Sequence, residues 1–251
     1  MYKLNTSILL DHLTWPQVEK KINEGYKNIL LGVGSTEQHG PHLPLFTDAF
    51  CGDVIGNAVS ENIGKTLQAP TIRVGCSSAH LGFPGTMSIS AQTLKKLILE
   101  YGESLSLTPF KNFIIVPTHG GNFKPILDLL EETGGKINKL KLIAYTDFEE
   151  LMVRFHEASQ KFKISREDAG LHAGEIETSI MLYLSKEFIQ GKTFEKGTLN
   201  FSTVEEVYKK GTRSLSKNGI LGNPKTATAE KGKVYLQCYV DAVTQYLKKN
   251  L

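Results

Sequence analysis

Continuous apolar, β-branched runs punctuate the chain and alternate with longer segments of helical periodicity. Ile29-Leu30-Leu31-Gly32-Val33 and Phe113-Ile114-Ile115-Val116-Pro117 are the clearest runs. Apolar runs this short, bounded by Gly, Pro and Asn, predict buried strands. The pattern predicts strands at Lys27 to Val33, Leu67 to Val74, Phe113 to Pro117 and Leu140 to Tyr145. Helices are expected at Ala49 to Asn62, Ala91 to Leu105, Phe123 to Glu132 and Phe148 to Phe162, with a closing helix at Thr226 to Leu247. Ile180 to Leu184 adds another apolar helical stretch, and Lys192 to Asn223, rich in Gly, Ser, Thr and Lys, reads as a loop or short hairpin near a site or a subunit contact. Strand–helix alternation predicts the α/β class: a single domain over residues 1–251, a three-layer sandwich whose mostly parallel sheet is covered on both faces.

Composition changes this picture little. The chain has 251 residues, 40% hydrophobic and 22% charged, with a net charge of +3. That length suffices for one α/β domain with a substantial core. The basic residues are scattered, with no stripe of Arg and Lys interleaved with aromatics, so nucleic-acid binding is not expected. No apolar run approaches a membrane span, and Met1 to Asn5 carries no signal-peptide pattern. Cys51, Cys76 and Cys238 are odd in number and lack CxxC spacing, which suits reduced thiols and a cytoplasmic protein.

The candidate chemistry lies where strands end. Gly34 to Asp48 reads GSTEQHGPHLPLFTD and places Glu37, His39, His42 and Asp48 just after the first strand. Gly40, Pro41 and Pro44 keep that stretch from being a regular helix. Carboxylates and imidazoles together are the donors that Zn, Mn or Fe sites use. In an extended segment residues two apart point the same way, so Glu37 and His39 can aim at one point and Asp48 can return to it. A capping role for Asp48 at the next helix is the plainer alternative. A second set, Thr118-His119-Gly120-Gly121-Asn122, follows the Phe113 strand, with Asn122 placed as a helix N-cap. A third, Leu171-His172-Ala173-Gly174-Glu175-Ile176-Glu177-Thr178-Ser179, opens the apolar helix. Helical spacing puts His172, Glu175 and Ser179 on one face and turns Glu177 largely away from it. Open α/β sheets bind ligands at the carboxyl ends of their strands, which is where Glu37, His39 and His119 fall.

With these motifs the chain resembles the creatininase, or creatinine amidohydrolase, family. The resemblance is carried by Glu37-Gln38-His39-Gly40-Pro41-His42-Leu43-Pro44 with Thr47-Asp48, by His119-Gly120-Gly121-Asn122, and by His172-Ala173-Gly174-Glu175 with Glu177-Thr178-Ser179. A fourth match is the loop His80 to Ser88, which in the family borders the substrate pocket. The resemblance implies a two-metal amidohydrolase that binds two divalent ions, Zn, Mn or Fe. The implied ligands are Glu37 and His39 on different metals, Asp48 bridging both, and His119. Creatininase has a Glu two residues after the second-motif His, where this chain has Gly121, so Glu175 is the expected substitute. His172 resembles the family's catalytic acid, although Leu171 stands where creatininase has a Glu. His42 is expected to orient a ligand rather than to be one.

These departures point away from creatinine itself. The His-Gly-Gly-Asn form is similar to members that cleave formamides or other cyclic and linear amides. The implied activity is hydrolysis of a non-peptide C–N bond, in a small lactam or formamide, by water that the ions activate. The implied partners are a small-molecule amide substrate and further copies of the chain, as a hexamer. A metal-dependent isomerase or aldolase, and a non-catalytic metal-stabilised binding protein, are the other classes the same ligand set allows.

Overall fold

The computed structural model describes residues 3–199 and 204–251. Met1 and Tyr2, from the N-terminal reading, and residues 200–203 of the expected loop lie outside the described residues. The strands are β1 (Asn28–Val33), β2 (Thr66–Ile72), β3 (Asn112–Pro117), β4 (Lys136–Ile137) and β5 (Leu140–Ala144). They form a five-stranded sheet in the order β2-β1-β3-β5-β4. All neighbours are parallel except β4, a short edge antiparallel to β5. The helices are α1 (Trp15–Asn23), α2 (Thr47–Ile63), α3 (Ala91–Ser106), α4 (Phe123–Thr133), α5 (Phe148–Gln160), α6 (Arg166–Ala169), α7 (Glu175–Ser185), α8 (Val204–Lys210), α9 (Thr212–Leu215) and α10 (Ala229–Asn250).

Alternation along the strands sorts the core into two slabs, because successive strand side chains face opposite sides of a sheet. Leu30, Ile114, Val116 and Ile143 pack with residues of α2, α5, α7 and α10. Ile29, Leu31, Phe113, Ile115 and Leu142 pack with residues of α1, α3 and α4. Both faces are covered, so the strands are apolar throughout and read as continuous runs. This is the expected three-layer α/β arrangement.

The strand order also fixes where a site can form. From β1 the chain steps to β2 on one side, then returns to β3 on the other side of β1. The connections therefore diverge at the carboxyl ends of β1 and β3, and that divergence opens a crevice. The segments after Val33 and Pro117, which carry Glu37 and His119, leave the sheet at this point.

Three local expectations change. Lys192 to Asn223 is not a hairpin: among its described residues it contains α8 and α9. Its Thr198 and Leu221 form an isolated parallel bridge. α1 lies outside the expected elements, although a capping box between Thr14 and Gln17 with Pro16 in the first turn marks its start. Asn122 precedes α4 but does not cap it. Its Oδ1 accepts from Cys76 N at 2.9 Å, and its Nδ2 donates to Val33 O and Gly34 O at 3.1 and 3.0 Å. An amide spent on three strand-end backbone groups holds the crevice walls together, which matters more here than a helix terminus.

Candidate metal centre

Five of the chain's seven histidines, His39, His42, His80, His119 and His172, are buried. Glu37, Asp48 and Glu175 are buried as well. Removing so many ionisable groups from water is costly unless each finds a partner. Most of them find each other at the β1/β3 crevice.

Asp48 lies in the first turn of α2, one residue after its start, and does not cap the helix. Thr118 Oγ1 donates to the Asp48 carbonyl at 2.8 Å, which ties this turn to the end of β3. The two carboxylate oxygens of Asp48 then face different rings: Oδ1 lies 3.1 Å from His39 Nε2, and Oδ2 lies 3.1 Å from His119 Nδ1. Glu37 Oε1 stands 3.3 Å from His119 Nδ1 and 3.7 Å from His172 Nδ1. Glu177 Oε2 stands 3.8 Å from His39 Nε2. Donor atoms from Glu37, Asp48 and His119 lie within 4.8 Å of one another, as do those from His39, Asp48 and Glu177 and those from Glu37, His39 and His172.

The outer nitrogens of the rings show what the inner ones present. His39 Nδ1 lies 3.1 Å from the Glu37 carbonyl, and His119 Nε2 lies 3.1 Å from the Cys76 carbonyl. A carbonyl only accepts, so each outer nitrogen carries the hydrogen, and the neutral ring turns a bare nitrogen to the carboxylates. That arrangement is the one metal-ligating histidines adopt. Glu37 Oε1 and Asp48 Oδ2 are buried without a hydrogen-bond partner among the described residues. Lone pairs facing lone pairs in a buried cluster call for positive charge between them, and this donor set suits a metal ion.

The titration behaviour follows the same logic. Burial works against charge on His39, but Asp48 outweighs it and leaves the imidazole raised to about 10. His119 is likewise held well above the ordinary range, burial being overcome by Glu37 and then by Tyr208 and Asp48. Asp48 is held low despite burial, through His39 and His119. Burial, with Asp48 adding to it, pushes the Glu177 carboxyl up to about 7 against the pull of His39. His80 and His42 are instead pulled down to about 4, chiefly by burial. His172 is driven well below its usual value by burial and by the charges of His80 and His39.

The structure therefore brings Glu37, His39, Asp48, His119 and His172 together, as the sequence predicts, and removes Glu175 from the set. The Glu175 carboxylate accepts from Tyr235 Oη at 2.7 Å and Ser179 Oγ at 3.0 Å, and pairs with Lys231 Nζ at 3.1 Å. It fastens α7 to α10. Glu177 takes the expected position instead. The reason is where the helix starts: α7 begins at Glu175 with Gly174 as its N-cap, so helical spacing cannot be counted from His172. His172 is placed separately, by an antiparallel bridge to Leu221. Ala173, at a left-handed φ of 50°, turns the chain between the two. Glu177 reaches back from the first turn to accept from Ala173 N. A readable signal existed, because an acid at that place in a first turn commonly returns to the backbone ahead of the helix.

His42 is buried beside the cluster without joining it, its Nε2 2.8 Å from Thr178 Oγ1. A cavity opens against the cluster, bounded on one side by Asp48, His80, His119, His172 and Glu177. Its other walls are apolar, from Phe123, Phe148, Leu151, Met152, Phe155 and Val207.

The chain matches the creatininase (creatinine amidohydrolase) family over residues 11–247. It is a member of that family. The mycofactocin precursor peptide peptidase of Mycolicibacterium smegmatis (strain ATCC 700084 / mc(2)155) is 32% identical to this creatininase-family chain over 230 residues, covering 88% of the chain and 84% of the relative. The creatinine amidohydrolase of Pseudomonas putida is 22% identical over 260 residues, covering 98% of each. Two solved creatininases, a mutant of Zn-Zn type and a Mn form, each superpose with a TM-score of 0.76 at 22% identity, covering 97% of this chain and 98% of theirs. These structures share the fold of this creatininase-family protein. Zn and Mn are thus the metals named for creatininases, and the relatives' names include enzymes of creatinine and of a peptide. No helix among the described residues is long and apolar enough to cross a membrane.

Proposed function

We propose that this protein hydrolyses an amide C–N bond with the help of two divalent cations at the carboxyl ends of β1 and β3. The observation that carries the reading is the pair of buried oxygens, Glu37 Oε1 and Asp48 Oδ2, left without hydrogen bonds among ring nitrogens. Glu37, Asp48 and His119 would hold one cation, and His39, Asp48 and Glu177 the other. Asp48 would serve both, since its two oxygens already face different rings. Bound ions of this kind polarise an amide carbonyl and lower the pKa of a water.

The chain supplies proton movement and fit. His172 borders the cavity with its Nε2 hydrogen committed to the Gln38 carbonyl, so its bare Nδ1 can take a proton and return it to the departing nitrogen. No lysine or arginine is among the described residues of the cavity wall, whereas Phe123, Phe148 and Phe155 are. Such a wall favours an amide flanked by a bulky apolar group over a compact polar lactam such as creatinine. The likeness to the peptide peptidase supports an acyclic or peptide amide in preference to the non-peptide bond that the motifs suggest. The hexamer that the family resemblance implies stays part of the reading, and light scattering reads it directly.

The test has two parts. Protein purified without chelator should carry about two divalent ions per chain by elemental analysis, and Asp48→Ala should lose both. Metal-loaded protein should release amine from formamides or short peptides carrying apolar groups, and less from creatinine. Full activity in metal-free protein sinks the reading. Substrate conversion without amine release would make the protein an isomerase or aldolase, and ligand binding without any turnover would make it a binding protein.

A further inference from the structure

Four imidazoles border the Glu37 and Asp48 carboxylates, and three of them turn the same chemical face to the pair. His39 and His119 spend their outer nitrogens on backbone carbonyls, and His172 does the same, its Nε2 2.7 Å from the Gln38 carbonyl. All three inner nitrogens are bare in the neutral rings. His80 differs. Its outer nitrogen, Nδ1, meets Gln38 Nε2 at 2.9 Å and Thr212 Oγ1 at 3.3 Å. Its inner nitrogen, Nε2, stands 3.5 Å from Glu37 Oε1.

The orientation of the Gln38 amide decides what His80 carries. Gly40 N, which can only donate, lies 2.9 Å from Gln38 Oε1. The other terminal atom is therefore the NH2, with two hydrogens to place. Gly219 O lies 3.1 Å from it and His80 Nδ1 2.9 Å. Two hydrogens meet two acceptors, and His80 Nδ1 must be bare. Its hydrogen then sits on Nε2, pointing at the cluster. His172 Nε2 also lies 2.9 Å from Gln38 Nε2, but its own hydrogen goes to the nearer carbonyl.

The fold reserves this place for the amide. Gln38 is buried. Gly219 has φ +80°, and a Cβ on it would fall 2.0 Å from Gln38 Oε1. A glycine is needed there both for the backbone turn and for the close approach.

We propose that Gln38 is a positioning residue that sets His80 and His172 in opposite tautomers, so that two rings 4.3 Å apart offer one N–H and one bare nitrogen to the same cavity. The proposal deepens the hydrolase reading and rests on it for its use. During amide hydrolysis the bare Nδ1 of His172 takes up a proton, while the Nε2–H of His80 hydrogen-bonds the oxygen that gains negative charge. A donor aimed at developing charge is worth most in a dry site, and His80 is buried.

The experiment is 15N NMR of histidine-labelled, metal-loaded protein, with His80 and His172 assigned through His80→Gln and His172→Gln. In the wild type His80 should be protonated on Nε2 and bare on Nδ1, and His172 the reverse. Gln38→Glu exchanges the NH2 for an acceptor and should move the His80 proton to Nδ1, leaving His172 unchanged. Gln38→Met removes both polar atoms, keeps the volume, and should abolish the single-tautomer signature of His80 should the carboxylate variant fail to fold. A wild-type His80 protonated on Nδ1, or a His80 tautomer that neither substitution disturbs, overturns the proposal. The stated tautomers in a protein that cleaves no amide would overturn the hydrolase reading and leave the role of Gln38 standing.

Discussion

Tyr208 occupies the space that any side chain at Gly121 would need. A Cβ on Gly121 would stand 1.9 Å from the Tyr208 hydroxyl oxygen and 2.2 Å from the Cys76 carbonyl oxygen. The tyrosine itself donates to that carbonyl at 3.0 Å and lies 3.3 Å from His119 Nε2. The absence of a carboxylate two residues after His119 is thus built into the packing, and Glu177 approaches from another element.

Gly121→Ala should therefore destabilise the protein by about 1–3 kcal/mol, the usual cost of overpacking. Tyr208→Phe in the same chain should recover only part of the loss, because the Cys76 carbonyl stays where it is. Urea denaturation of the single and double variants reads both effects. A Gly121→Ala protein as stable as the wild type would show that the tyrosine yields freely.

Glu175→Gln separates fastening from ligation. The substitution leaves Lys231, whose side chain is mostly buried, without its charge partner beside a fully buried position. The expected loss of stability is about 3 kcal/mol, typical of breaking a buried pair. Metal content by elemental analysis should be unchanged. A variant that loses metal while keeping its stability would return Glu175 to the ligand set.

His172→Ala should keep its metal and lose on the order of 10²–10⁴ in turnover, the usual worth of a general acid or base. A substrate with a good leaving group, such as an activated ester, should suffer less, since its departing atom needs no proton. Loss of metal in this variant would make His172 a ligand, consistent with the grouping of its Nδ1 with Glu37 and His39.

His42 gives a pH dependence that does not require a metal. Burial, with His39 adding to it, lowers its pKa to about 4, and its Nδ1 has no hydrogen-bond partner among the described residues. The unfolded chain takes up this proton near pH 6.5 and the folded chain does not, so the unfolded state binds more protons between these values. The stability from a neutral His42 is complete above pH 6.5 and is lost as the pH falls toward 4, by up to about 3 kcal/mol. Chemical denaturation at pH 7 and pH 5 should show a smaller drop for His42→Gln than for the wild type. Equal drops would assign the acid sensitivity to other groups.

The strands were legible in the sequence because both sheet faces are buried, which leaves Ile29 to Val33 and Phe113 to Pro117 apolar throughout. The site's location followed from the strand ends. Glu177 rather than Glu175 lies beside His39 and Asp48 because of a single boundary: moving a helix start from His172 to Glu175 changes which residue looks inward, and sequence fixes such boundaries poorly. α8 and α9 were missed because each is too short for its periodicity to stand out from a polar, glycine-containing stretch. Tyr208 sits on α8 and was missed with it. The expected cap at Asn122 was outcompeted by three backbone groups that only the folded strand ends bring together.

Glu177 lies beyond the last strand of the sheet, whereas Glu37, His39, Asp48 and His119 all precede β5. A chain still being synthesised, with β5 just completed, already contains the donors of the Glu37–Asp48–His119 group but only part of the His39–Asp48–Glu177 group. If that second group holds an ion, its loading would wait for the ribosome to deliver α7, and the bound ion would latch a late helix onto a sheet assembled earlier.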